Sequence, residues 1–142
     1  MVKKYLKFFI LLSALIVFLD QLSKYLIFRS QPVFDLNFLK IHLVKNTGAG
    51  FGILQDQTFW LAIISLLAIL VILFHYKKIE PEKWPQLFFA LLLGGVIGNF
   101  IDRAFRGFVI DFIDFSFWPA FNIADAAISI GIIGLVIYYW KK

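Results

Sequence analysis

Three pairs of polar residues have the spacing that places two side chains on one face of an α-helix. The pairs are Asp20 with Lys24, Asn99 with Asp102, and Asn122 with Asp125. Each pair lies at one end of a long apolar stretch. A polar helix face in a membrane must point into the bundle or a wet cavity, because lipid offers no hydrogen-bond partners. We therefore expect the three faces to converge on one polar pocket.

Asp111, in the segment FVIDF, is a candidate partner for Asp125 in a reaction. It lies 14 residues before Asp125, in a loop that must return to the start of the last apolar stretch. Two adjacent carboxyl groups do not both ionise readily, so they tend to share one proton. One can then act as general base on a water molecule while the other donates a hydrogen bond to a scissile carbonyl. Such a pair suits aspartic peptidase chemistry.

Spacing alone leaves the loop member of this pair open. Asp114 fits that position as well as Asp111 does. A simpler interpretation makes Asp111 a solvated loop carboxylate and Asp125 only a hydrogen-bond partner of Asn122.

The neighbouring polar residues have assignments of their own. Lys24 is interpreted as the ion-pair partner of Asp20. Asp102, with Arg103 and Arg106, forms either a substrate clamp or an internal ion pair, and we favour the ion pair for Asp102. Arg103 stays open between an ion pair and a substrate clamp, because its planar fork suits a carbonyl or phosphate group. Ser129, one turn along the helix from the candidate aspartate, either joins the pocket or, as we favour, bonds back to its own helix.

The composition argues against several other reactions. The chain has no cysteine, which excludes disulfides, thiolate metal sites and cysteine nucleophiles. The two histidines, His42 and His75, are predicted on opposite sides of the membrane, so we expect no histidine metal site. The formal net charge of +5 would suit nucleic acid. Its distribution over separated segments argues against such a partner.

Four apolar helices are the elements that must position these residues. The chain is 61% hydrophobic and 16% charged, whereas soluble domains are about 25% charged. The uncharged stretches are Phe8–Leu19, Gln57–Phe74, Pro85–Ile101 and Ala126–Trp140. A spanning helix needs roughly 20 mostly apolar residues, so the first extends over Tyr5–Phe28 and the fourth starts near Asn122. The first stretch lacks a small-residue cleavage site, which predicts a retained helix rather than a cleaved leader.

The distribution of basic residues predicts the orientation. Eight lysines and two glutamates occupy the N-terminus, the loop after the second helix and the C-terminus, while the other side has six basic residues and all seven aspartates. Short loops rich in basic residues face the cytoplasm. We therefore predict an all-α membrane protein, a single domain over residues 1–142, with four transmembrane helices and both termini cytoplasmic. A small extracytoplasmic β-like segment and an interfacial loop complete it.

Two loops on the outer side have patterns that differ from ordinary linkers. Residues in Asp35–Leu43 alternate with period two and change phase after Phe38, which predicts a bent or bulged strand. The segment NTGAGFG follows at 46–52, and its glycines permit unusual backbone angles and close approach of another chain. The second loop, Ala104–Phe121, holds six phenylalanines and a tryptophan, a composition typical of the headgroup layer.

These motifs resemble those of the bacterial lipoprotein signal peptidases (type II) from end to end. The matching segments are DQLSK at 20–24, NTGAGF at 46–51, GNFIDR at 98–103, VIDF at 109–112 and FNIAD at 121–125. Gly50 departs from the family, which usually has alanine or serine there, but the change removes no reactive group.

The resemblance implies an aspartic endopeptidase of the bacterial inner membrane with its active site on the extracytoplasmic face. Similar proteins remove the signal peptide from diacylglyceryl-modified prolipoproteins, cutting before the lipid-bearing cysteine. They use no metal or organic cofactor and are inhibited by globomycin. Prolipoproteins and membrane lipids are therefore the expected partners.

The resemblance also implies roles for individual residues. Asp111 and Asp125 correspond to the catalytic pair. Residues at positions of the substrate and inhibitor pocket are Asn46, Asn99, Arg103 and Asn122, and residues of a supporting motif are Asp20 and Lys24. We add Gly48 to the substrate-binding set, because the glycine loop offers backbone groups to an extended peptide, and Asp102 to the supporting set.

Two other classes of function compete with this interpretation. A small proton-coupled transporter would place its ionisable groups near the bilayer midplane, whereas here they lie toward one side. A non-enzymatic assembly subunit is the second alternative. It does not explain why a wet pocket should contain two aspartates, neither of which has an evident basic partner.

Overall fold

A computed structural model of the chain describes residues 3–50 and 53–142. The four α-helices are α1 (Lys3–Ser30), α2 (Thr58–Phe74), α3 (Lys83–Phe105) and α4 (Ile123–Trp140), with a short 3₁₀ turn at Tyr76–Lys78. All four predicted apolar helices are therefore present. The first runs two residues past its predicted end at Phe28, and the fourth begins after an Asn122 cap as expected.

Three helices are long and apolar enough to cross a membrane. They are Tyr5–Ser30 within α1, Lys83–Phe105 and Ile123–Trp140. The α2 helix has 17 residues, which at 1.5 Å per residue is about 25 Å, somewhat less than a hydrocarbon core of about 30 Å. The side chains on its outer face are nevertheless apolar. The buried Ser65 hydroxyl donates a hydrogen bond to the Leu61 carbonyl at 2.8 Å, within the same helix.

The outer surfaces of the helices consist largely of exposed apolar side chains. Phe59 is 70% exposed, Phe74 84% and Trp140 88%. Water-soluble monomers rarely expose contiguous apolar patches larger than a few hundred Å². The surface therefore fits hydrocarbon, and the polar groups must be satisfied inside the bundle.

The α3 helix is central, because it packs against each of the other three helices. Toward its start, the core is an apolar cluster formed by Phe9, Ile69, Ile79, Ala90 and Leu93. Toward its end, polar residues replace this cluster. There Gly98 allows α1 to approach, since a methyl group at this position would lie 2.5 Å from Asp20 Oδ2. The buried charged side chains of the helices thus lie toward one end of the bundle, away from the apolar cluster.

A four-stranded antiparallel sheet covers the polar end of the bundle. Its strands, in spatial order, are β1 (Phe34–Asp35), β2 (Leu39–Asn46), β3 (Val109–Phe115) and β4 (Trp118–Phe121). The prediction of an all-α protein with one β-like segment is therefore wrong for the loop Ala104–Phe121, most of which forms β3 and β4. Ile110 and Phe112 on β3 pack with Ile27 at the end of α1.

The burial of β3 explains why its pattern is not visible in the sequence. Val109, Ile110, Asp111 and Phe112 are all buried, so apolar residues occur on both faces and no period-two alternation results. Its pairing partner, β2, lies about 65 residues earlier in the chain. A non-local pairing of this kind leaves no local signal.

The predicted bulge is present in β2, but at a different position. The phase change after Phe38 marks a turn between β1 and β2, where Asn37 has φ 65° and donates its N–H to the Asp35 carboxylate at 2.7 Å. The bulge follows later, because Ile41 pairs with Ile113 while Val44 pairs with Asp111. Three steps along β2 therefore oppose two along β3.

The glycine loop confirms only part of the prediction made for it. A methyl group at Gly48 would lie 2.6 Å from the Ile53 carbonyl oxygen, so this position requires glycine for close approach within its own loop. Gly50 has open space around it and no left-handed φ. Phe51 and Gly52 lie outside the described residues.

Candidate active site

The candidate active site is a cavity of about 210 Å³ between the sheet and the start of α4. Asp111 on β3 and Asp125 in the first turn of α4 both line it. Other lining residues include Asn46, Arg103, Trp118, Ala120, Ile128 and Ser129. The two carboxylates predicted to meet from separate segments therefore do share one cavity.

Strands β2 and β3 position Asp111. Asp111 on β3 pairs with Val44 on β2 directly after the bulge. It is buried, with 2% of its surface exposed. Asn46 Nδ2 donates to its Oδ2 at 3.0 Å, and Asn122 Nδ2 donates to its Oδ1 at 2.7 Å. Each carboxyl oxygen of Asp111 thus has an amide partner.

The N-terminus of α4 positions Asp125 through a capping box. The Asp125 N–H donates to Asn122 Oδ1 at 2.9 Å, and the Asn122 N–H donates to Asp125 Oδ2 at 3.2 Å. The remaining oxygen, Oδ1, accepts from Asn99 Nδ2 at 2.7 Å. Because Asn122 also donates to Asp111, this one residue contacts both carboxylates.

The environment of Asp111 changes its acidity. Burial raises its pKa, and the negative charge of Asp125 raises it further. The hydrogen bonds from Asn46 and Asn122 act in the opposite direction but do not compensate, so the pKa reaches about 7 instead of 3.8. Asp111 therefore keeps its proton in about half of the molecules at pH 7 and in most of them at lower pH, so the pair can provide an acid as well as a base.

A buried ion network supports the carboxylates from the bundle side. Lys24 Nζ lies 2.8 Å from Asp20 and 3.1 Å from Asp102, and all three side chains are fully buried. Arg106 forms a second ion pair with Asp102. Two positive and two negative charges balance in this network, which a low-dielectric interior requires. The predicted pairing of Lys24 with Asp20 and the predicted ion pair of Asp102 are both present.

The same lysine sets the orientation of Asn99. Lys24 Nζ donates to Asn99 Oδ1 at 3.0 Å. An ammonium group has no acceptor, so the amide oxygen must face it and the amide NH₂ must face Asp125. Lys24 therefore acts on the site through Asn99 without lining the cavity.

Asn46 is oriented in a similar way from the loop side. The Gly48 N–H donates to Asn46 Oδ1 at 2.9 Å, which leaves the amide NH₂ for Asp111. Since Gly48 can have no side chain without meeting the Ile53 carbonyl, its place in the structure is to shape this loop.

Arg103 reaches the cavity from the end of α3. Its guanidinium donates to the Gly48 carbonyl at 3.4 Å and to Ser65 Oγ at 3.5 Å, both at the long limit for hydrogen bonds. Its Nε is buried and has no partner among the described residues. Asp102 forms its ion pairs with Lys24 and Arg106. Arg103 therefore has an N–H group available to donate to a further acceptor.

Asp114, the alternative loop member, does not line the cavity. Its carboxylate lies 2.8 Å from His42 Nε2, on the sheet. The two histidines are far apart in the fold, with His42 on β2 and His75 at the opposite end of α2. In the described ranges, no group of three or more His, Asp or Glu side chains is arranged to hold a metal ion.

Ser129 lines the cavity one turn along α4 from Asp125. Its hydroxyl makes no hydrogen bond among the residues that the structure describes. The prediction that it bonds back to its own helix is therefore wrong.

Sequence reasoning did not assign a role to Gln21, and it left Arg106 open between a substrate clamp and an ion pair. Gln21 Nε2 donates to Asp20, to Asp102 and to the Gly98 carbonyl, each at 3.1 Å, and Arg106 donates to Gln21 Oε1 at 3.0 Å. A signal was present, because Gln21 is a polar residue inside an apolar stretch beside Asp20. Trp118 and Ala120 on β4 could not have been found, because β4 itself was not predicted.

Two solved structures that are similar to this chain are described as bacterial membrane enzymes. One superposes on the chain with a TM-score of 0.90 and 33% sequence identity, covering 96% of this chain and 90% of the other. A second superposes with a TM-score of 0.86 and 33% identity over 97% and 96% of the two chains. The fold and the cavity thus define a membrane enzyme.

Sequence comparison identifies the family. The profile of the family signal peptidase (SPase) II matches residues 12–141. The chain is 39% identical to a lipoprotein signal peptidase of Moorella thermoacetica, over 94% of this chain and 91% of the relative. It is 44% identical to that of Francisella tularensis subsp. novicida, over 92% and 89%. The chain belongs to the signal peptidase II family, a family of membrane aspartic peptidases.

Proposed function

We propose that this protein removes the signal peptide from diacylglyceryl-modified prolipoproteins, cutting before the lipid-modified cysteine with Asp111 and Asp125. The observation that carries the proposal is the sharing of one cavity by these two carboxylates, with Asn122 in contact with both. Family membership supports the removal of signal peptides from prolipoproteins.

The reaction needs one water molecule and one proton on the pair of carboxyl groups. The ionised carboxylate takes a proton from a water molecule, and the water oxygen attacks the scissile carbonyl carbon. The protonated carboxyl donates a hydrogen bond to the carbonyl oxygen as negative charge develops there. Collapse of the tetrahedral intermediate breaks the C–N bond, and a proton from the pair goes to the leaving nitrogen. The amides of Asn46, Asn99 and Asn122 hold both carboxylates in place throughout.

Substrate binding falls to the groups that line the cavity without an internal role. The Arg103 guanidinium, with its unpartnered Nε and two long hydrogen bonds, suits a carbonyl oxygen of an extended peptide. The glycine loop reaches the cavity at Gly50, whereas the N–H and the carbonyl of Gly48 already have partners within the protein. A peptide bond within a helix is protected by its own hydrogen bonds, so the cleavage segment must be extended in the site.

The topology that serves this function has four spans, both termini in the cytoplasm and the site on the extracytoplasmic face of the inner membrane. The polar helix ends and the sheet lie together at one end of the bundle. The helix ends away from the sheet carry several lysines, which include Lys77, Lys78, Lys83, Lys141 and Lys142. Their positions support the predicted cytoplasmic side.

The test is cleavage of a lipidated prolipoprotein by the purified protein in detergent, with a metal chelator present. Wild-type protein is expected to cleave, and globomycin is expected to inhibit. Asp111→Asn and Asp125→Asn should each abolish turnover. Asp114→Asn is the matched control on the same strand, outside the cavity, and should retain activity.

Two results would overturn the proposal. Retained turnover in either cavity variant would remove that aspartate from the mechanism. Failure of the wild-type protein to cleave the lipidated substrate, when a known signal peptidase II cleaves it under the same conditions, would remove the function itself.

A further inference from the structure

Ser129 differs from every other serine in the chain. The other five donate their hydroxyls to backbone carbonyls at 2.6–3.1 Å; they are Ser13, Ser23, Ser30, Ser65 and Ser116. Ser129 makes no hydrogen bond in the described chain and lines the cavity. Ser129 is also exposed, so its hydroxyl is available to a molecule bound in the cavity.

The position of Ser129 on α4 relates it directly to the candidate catalytic pair. Asp125 and Ser129 are four residues apart and lie on one face of the helix. One helical turn separates them by about 5.4 Å along the axis. Because α4 starts at the sheet and runs into the membrane, Ser129 lies deeper than Asp125 on the same cavity wall.

A substrate bound at the pair would bring its own unsatisfied groups to this wall. When the cleavage segment is extended, its carbonyls lose the N–H partners they had in a helix. Within a bilayer no water replaces those partners. The protein must therefore supply donors on the side where the signal peptide enters, and Ser129 is a free donor there.

We propose that the Ser129 hydroxyl donates a hydrogen bond to the substrate carbonyl of the third residue before the lipidated cysteine. This inference rests on the proposed function. In an extended chain, residues advance by about 3.3 Å each, so one helical turn below the scissile carbonyl corresponds to about two residues. Carbonyls two residues apart point to the same side of an extended chain. The scissile carbonyl and this carbonyl can therefore both face α4, whereas the carbonyl between them faces away.

This makes Ser129 a positioning residue, because it touches the substrate away from the reacting bond. It fixes the depth at which the cleavage segment sits and thereby aligns the scissile carbonyl with Asp125. The conservative variant Ser129→Thr keeps the hydroxyl, whereas Ser129→Ala removes only the donor. Since Ser129 is exposed and its hydroxyl bonds to nothing in the part of the chain that the structure describes, its removal should leave the unfolding midpoint unchanged.

The test combines enzyme variants with substrates in which one amide is replaced by an ester, whose carbonyl is a weaker acceptor. Ser129→Ala should lower kcat/KM on the all-amide substrate about tenfold, and Ser129→Thr should restore it to within about twofold. An ester at the third residue before the cysteine should lower kcat/KM for the wild-type protein by about three- to tenfold. The same ester should have no further effect on Ser129→Ala.

Two controls make the result specific. Ser30→Ala, the same change at an exposed site at the end of α1, should leave kcat/KM within about twofold of wild type. An ester at the second residue before the cysteine should affect wild type and Ser129→Ala equally.

Ser129→Ala activity within twofold of wild type would overturn the inference. So would equal sensitivity of wild type and Ser129→Ala to the ester at the third residue. Either result leaves the proposed function standing if wild type cleaves the all-amide substrate, so failure of the inference and failure of the function are distinguishable.

Discussion

Asp111→Asn should make the stability of the protein less dependent on pH. In the folded protein the Asp111 carboxyl has a pKa of about 7, against 3.8 ordinarily. Between these values the folded state binds a proton that the unfolded chain has released. Stability from this group is therefore present in full below pH 3.8 and is lost as the pH rises through 7.

The magnitude follows from the size of the shift. Between pH 5 and pH 8 the folded state binds more protons at Asp111 than the unfolded chain does. This difference in bound protons, integrated over the interval, amounts to roughly two pH units. At 1.36 kcal/mol per unit, wild type loses about 2.5 kcal/mol of unfolding free energy over this range. In a domain of this size this corresponds to a fall in unfolding midpoint of roughly 5–10 °C. Asp111→Asn has no such loss.

The assay is thermal unfolding of wild type, Asp111→Asn and Asp114→Asn in one detergent, at matched scan rates between pH 5 and pH 8. The slope with pH is the informative quantity, because asparagine also leaves one donor from Asn46 or Asn122 without an acceptor, at a cost that does not vary with pH. Asp114→Asn should follow the wild-type slope. Parallel slopes for wild type and Asp111→Asn would refute the reasoning, because the carboxyl would then have an ordinary pKa.

Three further predictions concern the supporting network, the loop and the pH dependence of the reaction. Lys24→Met should lower the unfolding free energy by about 3–5 kcal/mol, because it leaves Asp20 buried without a cation and leaves Asp102 with Arg106 alone. Lys40→Met, at an exposed ion pair, should leave the unfolding midpoint unchanged. Gly48→Ala should sharply reduce kcat/KM in the prolipoprotein assay, because the methyl group meets the Ile53 carbonyl at 2.6 Å, and Gly50→Ala should be tolerated because nothing lies within 4 Å; equal losses would contradict the loop's geometry. The kcat/KM profile should fall as the pH rises above about 7, where the pair loses its shared proton, and a profile flat to pH 9 would contradict this.

The helices and the position of the site at one end of the bundle were predictable, because both depend on local features of the sequence. Apolar length predicts each helix, and three- or four-residue spacing predicts which polar side chains share a face. From these two rules the convergence of Asp20, Asn99 and Asp125 at one end of the bundle follows.

The sheet was not predictable to the same extent, because β3 is buried on both faces and pairs with a distant strand. The choice of Asp111 over Asp114 depends on that pairing. Spacing alone could not make the choice, since the strand directs Asp111 into the cavity and pairs Asp114 with His42. The role of Lys24 in orienting Asn99 likewise depends on contacts between helices far apart in sequence.

The most direct test of the central claim is a double-variant measurement on Asp111 and Asp125. If the two carboxyls act as one unit with one shared proton, either asparagine variant alone should lower kcat by at least about 10⁴-fold, and the double variant should lower it no further. Single losses that multiply in the double variant, or a single variant that keeps substantial turnover, would contradict it.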